Sequence, residues 1–296
     1  DDTMQFHPIH LSDKAEVETL FRQKNYPSDQ YSFGNLYIWR NILHVAICLE
    51  DGELFVRTGK PDNYTFMCPL GPMDLKAAVE RLLGWCREEG CSLRMEWVPE
   101  EDKAALEVLF GDRVHISEDR DHADYIYSRE KLSTLAGKKL HAKRNYINRF
   151  RDLNWSYEPI SRENMEECRQ MQHAWCREND CCTHPDQQAD CCAVQQAFQH
   201  YESLGLTGGC LRLDGKVIAF TIGEPLNSDT FIVHIEKAFA DIPGAYPMIN
   251  QQFVQHAMAD FSYVNREDDV GDEGLRKAKL SYFPERLLPD YVITID

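Results

Sequence analysis

No stretch of this chain approaches the ~18 consecutive apolar residues of a membrane-spanning helix. Its opening residues, DDTMQFHPIH, lack the basic-then-apolar pattern of a secretory leader, so a cytoplasmic setting is expected. Positive charge is scarce: 32 Lys and Arg against 49 Asp and Glu leave a net charge of −17. So acidic a chain disfavours nonspecific binding to nucleic acid or anionic membrane, and any contact with RNA has to be local. No low-complexity linker interrupts the sequence, so the two halves are expected to pack against each other. Standard zinc spacing is missing as well. The 11 cysteines include Cys181, Cys182, Cys191 and Cys192 with His184 between them, but in no C-x2-C pairing. These read as partly buried thiols, and no metal is expected. Cys48, Cys68, Cys86, Cys91 and Cys210 sit among apolar residues and read as small core side chains.

What remains is globular. The composition is 43% hydrophobic and 27% charged, and 296 residues suffice for two domains. Hydrophobic periodicity and caps predict helices over 13–23, 33–39, 75–88 and 101–110 in the first half. In the second they predict helices over 140–152, 162–179, 187–204, 247–259 and 273–280. Asp51-Gly52 and Asp214-Gly215 each separate two apolar runs and mark β-hairpins. Gly71-Pro72-Met73 before a helix matches the segment 244–248 before another. This repetition indicates a duplicated mixed α/β unit, with an N-terminal domain over 1–128 and a C-terminal one over 129–296. The last strand, 291–295, is placed in the second.

The chemistry concentrates in the strand predicted over 230–239. It is apolar except for His234, Glu236 and Lys237, and ionisable groups inside a sheet are costly unless paired or used. Simple alternation puts His234 and Glu236 on one face and Lys237 on the other. His234 and Glu236 are a candidate base and positioner for a nucleophile that must lose a proton; a satisfied buried polar pair is the competing reading. Lys237 reads as a structural ion pair. Gly244, Ala245 and Tyr246 turn into the following helix, whose first N–H groups can hold an oxyanion, with Tyr246 and Asn250 as polar contacts. Segment 137–151 has six Lys and Arg and no acid, an exception in this acidic chain. Lys143 projects within its apolar stripe of Leu140, Ile147 and Phe150, while Arg144 and Asn145 face elsewhere. It reads as a phosphate-binding helix or as a solvated one.

The order of elements is similar to that of the GNAT acyltransferases, here in tandem. The residues resemble the Fem peptidyltransferases and, more closely, the C-terminal domain of phosphatidylglycerol lysyltransferases. The resemblance rests on Ser32-Phe33-Gly34-Asn35-Leu36-Tyr37-Ile38-Trp39 and on Lys143-Arg144-Asn145 with Asn148 and Phe150. It also rests on His234-Ile235-Glu236-Lys237-Ala238, on Gly274-Leu275-Arg276-Lys277-Ala278-Lys279 and on Tyr282-Phe283-Pro284. It implies an α/β (α+β) fold of tandem GNAT-like domains with mixed, mostly antiparallel sheets flanked by helices. It further implies acyl transfer to an amine or hydroxyl of a small molecule or peptide, with aminoacyl-tRNA as donor and tRNA as partner. Lys143, Arg144, Asn145, Gly244, Ala245, Tyr246 and Asn250 would face the donor; Asn265, Arg266, Glu267 and Asp268 would line the acceptor side. The first domain has no counterpart of His234 and Glu236 and is expected to be structural. The chain departs from the coenzyme A-binding loop of GNAT proteins: Gly244-Ala245 remains, the full glycine pattern does not, and Asp241 would repel pyrophosphate. No cofactor is therefore expected. No counterpart of the membrane half of the lipid lysyltransferases is expected, which weighs against a lipid acceptor. Two other functions stay open: a noncatalytic module binding a peptide, a modified amino acid or tRNA, and an acetyl-CoA-dependent N-acetyltransferase.

Overall fold

Two Asp-Gly turns set the fold's local grammar. Asp51 and Gly52 take φ of 51° and 83°, and Asp214 and Gly215 take 51° and 82°. Two consecutive left-handed residues make the tight turn whose twist matches paired strands. The hairpins Ala46–Glu50/Glu53–Thr58 and Thr207–Leu213/Lys216–Pro225 follow.

A computed structural model describes residues 3–296. Each hairpin lies within its own seven-stranded mixed sheet. The first runs His7–Pro8, Ala46–Glu50, Glu53–Thr58, Thr65–Phe66, Leu93–Met95, Tyr291–Ile295, Val114–Glu118. The second runs Trp155–Pro159, Thr207–Leu213, Lys216–Pro225, Thr230–Ala238, Tyr263–Asn265, Asp124–Ser128, Arg286–Leu288. In each sheet the fourth and fifth strands pair in parallel. The expected fold class, two mostly antiparallel sheets flanked by helices, is the one observed.

The compact units do not follow a single cut at 128/129. One comprises the chain up to Asp124 with Asp268–Asp272 and Leu287–Asp296; the other comprises Tyr125–Glu267 and Glu273–Arg286. The C-terminal strand Tyr291–Ile295 pairs with Leu93–Met95 and Val114–Glu118 in the first sheet, not within the second half. Asp124–Ser128 pairs with Tyr263–Asn265 in the second. An open strand edge accepts any segment of matching pattern, so chain order alone could not allot these two strands.

In the first unit the helix Leu75–Glu89 is capped by the Asp74 carboxylate, which accepts from Ala77 N–H, and ends on left-handed Gly90. Its inner face joins Phe55, Phe66, Leu93, Met95 and Ile293 in one core. In the second unit the helix Ala245–Ala257 packs on the long strand, with the Phe253 and Phe231 rings edge-to-face at 5.5 Å. Cys48, Cys68, Cys86 and Cys210 are buried, as small core residues should be. Among the described residues no helix is long and apolar enough to cross a membrane.

Candidate functional site

The long strand Thr230–Ala238 does not run evenly beside its neighbour. Ile222 pairs with Ile235, but Gly223 pairs with Val233, so His234 is the extra residue of a β-bulge. Gly223 makes the close approach possible: a Cβ there would lie 2.1 Å from the Ile232 carbonyl oxygen. A bulge bends the strand and re-aims its side chains, so the simple alternation expected from sequence does not govern His234.

His234 sits between two carboxylates. Its Nε2 donates to Glu224 and its Nδ1 to Glu267, each at 2.7 Å. Burial opposes the charge, but the two carboxylates outweigh it and raise the imidazole from 6.5 to about 10. At neutral pH it is an imidazolium with both nitrogens engaged and its side chain 1% exposed. The role of proton acceptor expected for His234 does not fit this state, because a base needs an open lone pair. His234 instead pins together the long strand, its hairpin partner and residue 267.

Glu236 has the opposite character. Its carboxylate accepts from Asn250 Nδ2 and from Arg266 Nη2, each at 3.1 Å, and its side chain keeps 13% exposure. Arg266 lies against two rings, 4.9 Å from the Tyr282 centroid and 5.5 Å from that of Tyr127, and its Nη1 is buried with no hydrogen-bond partner. Lys143 reaches the same ring, with Nζ 4.4 Å from the Tyr282 centroid. Burial first, then repulsion from Arg266, lowers its ammonium below the usual lysine range. Two cations thus converge on one aromatic ring with a single carboxylate beside them. Cations held so close favour an added anion.

The turn after the strand is shaped by contact with the helix His141–Arg151. Gly244 takes φ 84°, and a Cβ there would lie 2.8 Å from the Tyr146 carbonyl oxygen. The helix begins at Ala245, two residues before the expected start. Ala245 N–H is bonded to Ile242 O and Met248 N–H to Gly244 O, while Pro247 has none. That leaves the Tyr246 N–H, so the expected cluster of helix-start donors shrinks to one group.

The remaining candidates divide. Arg144 donates to the carbonyls of Leu135 and Gly137 and braces that loop. Asn145 is tied to His141 at 3.2 Å on the same helix. Asn265 is sealed, its Oδ1 accepting from Glu267 N–H at 2.7 Å, a short turn that holds Glu267 at φ 63°. Asp268 belongs to the other compact unit, in a group with Asp29 and Asp124. Lys237 forms the expected ion pair, with Asp190 at 2.6 Å. The structure therefore brings together Glu236, Asn250, Arg266 and Lys143, with His234 and Glu267 behind them. Sequence reading missed Glu224, Tyr127 and Tyr282. Glu224 ends the apolar run 217–223, the same kind of signal that singled out His234. Tyr127 gave no signal apart from its ring.

The fold is that of the tandem GNAT proteins and the Fem transferases, and FemX superposes with a TM-score of 0.57 at 10% identity, over 97% of each chain. Fold and family are those of acyltransferases. The family described as phosphatidylglycerol lysyltransferase, C-terminal, matches residues 21–294, and the chain belongs to it. A conserved protein of unknown function from Bacteroides thetaiotaomicron is 38% identical, with a TM-score of 0.94 over 99% of this chain and 100% of that one. L-PGS of Bacillus licheniformis has a TM-score of 0.67 at 14% identity, over 100% of this chain and 94% of that one.

Proposed function

We propose that the protein transfers an aminoacyl group, delivered on tRNA, to an amine or hydroxyl of a small molecule or peptide. The observation that carries this is the convergence of Lys143 and Arg266 on Tyr282 beside Glu236. The two cations receive an anionic part of the donor: Lys143 has no acidic partner among the described residues, and Arg266 keeps an unused buried donor. Glu236, the partly open carboxylate, holds the acceptor and takes its proton as the new bond to the acyl carbon forms; the ester bond to the tRNA breaks and that proton passes to the released ribose hydroxyl. The Tyr246 N–H meets the carbonyl oxygen as charge develops on it. Catalysis is mainly positioning, with His234, Glu224 and Glu267 fixing the strand that carries Glu236.

Coenzyme A is disfavoured as donor, because one helix-start N–H and an exposed Asp241 make a poor cradle for pyrophosphate. The locked state of His234 favours a second reading, a noncatalytic module holding the same ligand. The test is incubation with charged tRNA and candidate amines, with products read by mass spectrometry. Transfer that disappears in Glu236→Gln, with folding intact, supports the enzyme. Saturable tRNA binding with no product from any acceptor supports the module.

A further inference from the structure

We infer that the protein carries a thiolate site for one zinc-class cation, built by Cys176, Cys181 and Cys191 when these are reduced. The three sulfurs lie within 4.8 Å of one another. Tetrahedral coordination at ~2.3 Å from each sulfur requires sulfurs about 3.8 Å apart, a modest adjustment from here. They come from three successive elements, the helix Met165–Glu178, the turn Cys181–Thr183 and the helix Pro185–Gln199. With the thiols reduced, a cation among them would tie the two helices and the turn between them together. Spacing in the sequence hid the group, because Cys176 lies outside the cysteine-rich stretch and the conspicuous Cys182 and Cys192 are exposed.

A second observation points to a ligand. Gln172 is 1% exposed and donates from Nε2 to Cys176 Sγ at 3.3 Å and to Cys191 Sγ at 3.6 Å. Such N–H donors hold thiolate ligands in place around a metal. The Gln172 Oε1 is buried with no hydrogen-bond partner, and a water in the fourth metal position would offer it a donor. Trp175 on the same helix donates to Ala238 O at 3.1 Å, so the brace reaches the end of the strand that bears Glu236.

Cys176 and Cys191 are joined as a disulfide in the structure, so the site has an oxidised form that offers no thiolate from these two residues. A phosphine reductant opens it: the phosphine leaves as its oxide with oxygen from water, and two electrons and two protons yield two thiols. Metal binding then releases three thiol protons as three metal–sulfur bonds form.

The test uses the full chain, phosphine-reduced and stripped of metal, titrated with Co2+ and then Zn2+. We expect one ion per chain, a thiolate-to-cobalt charge-transfer band displaced by zinc, and a higher Tm with zinc. Cys181→Ser loses the band; Cys182→Ser keeps it. Should Cys181→Ser fail to fold, alkylation mapping of the wild type decides: zinc must shield Cys176, Cys181 and Cys191 while Cys182 and Cys192 stay reactive. No band in the reduced wild type, an unchanged band in folded Cys181→Ser, or equal alkylation with and without zinc overturns the site.

Discussion

The two units share a strand order but not a chemistry. In the first sheet the fourth strand is Thr65–Phe66, two residues long, with no ionisable side chain. Its counterpart in the second is the nine-residue Thr230–Ala238, carrying a bulge, His234 and Glu236. In each sheet this strand pairs in parallel with the next, with Leu93–Met95 in one and Tyr263–Asn265 in the other. A buried carboxylate of the first unit, Glu53 at the start of the third strand, accepts Met73 N–H at 2.8 Å. Burial raises it, and no cation is bonded to it among the described residues. The fourth strand of the second sheet carries ionisable side chains where that of the first carries none. The lesson is that topology fixes where a strand lies, and its length and bulges decide what it can present.

The sharpest way to break this contrast is at Glu236. Glu236→Ala leaves Arg266 buried without its carboxylate, at a cost of about 3–5 kcal/mol in denaturant unfolding, together with loss of transfer. Glu236→Gln, able to keep a bond with Asn250, should lose transfer while staying folded. A Glu236→Ala protein as stable as wild type would mean that the pair is not held as described.

The next contrast is at glycines. Gly223→Ala places a Cβ 2.1 Å from a carbonyl oxygen in the bulge and should lower stability by about 1–3 kcal/mol. Gly215→Asn, at an open turn with φ 82°, should cost under about 1 kcal/mol, since Asn tolerates that conformation. Equal costs in thermal unfolding would count against the bulge.

The units also differ in pH window. His234 binds its proton more tightly folded than unfolded, so its stabilisation is complete below about 6.5 and is lost as pH rises toward about 10. Asp290 in the first unit is raised by burial to about 7, against 3.8 unfolded. As an acid with a raised pKa it releases its proton earlier when unfolded, so its contribution falls as pH rises between 3.8 and about 7. Unfolding free energy measured across pH should therefore decline in both windows. Asp290→Asn should flatten the lower one and His234→Gln the upper one.

The smallest effect is expected at Lys143. Lys143→Met removes a partly desolvated charge and should leave Tm within a few degrees. It should weaken tRNA binding and reduce the slope of log affinity against log salt by about one phosphate contact. An unchanged slope would remove Lys143 from the donor side.

Sequence alone determined a good deal here. Asp-Gly pairs specify both hairpins because few residue pairs accept two successive left-handed conformations. Apolar periodicity placed the helices 141–151 and 273–280 to within a residue or so, and the polar intrusions in 230–239 marked the strand that carries the candidate site. Tertiary structure decided the rest, for a different reason. Which sheet receives Tyr291–Ile295 depends on an edge formed by residues almost two hundred positions earlier. The state of His234 depends on Glu224 and Glu267, brought to it by a bulge and a left-handed turn. A side chain's charge is set by the groups folded around it, and local pattern does not contain them.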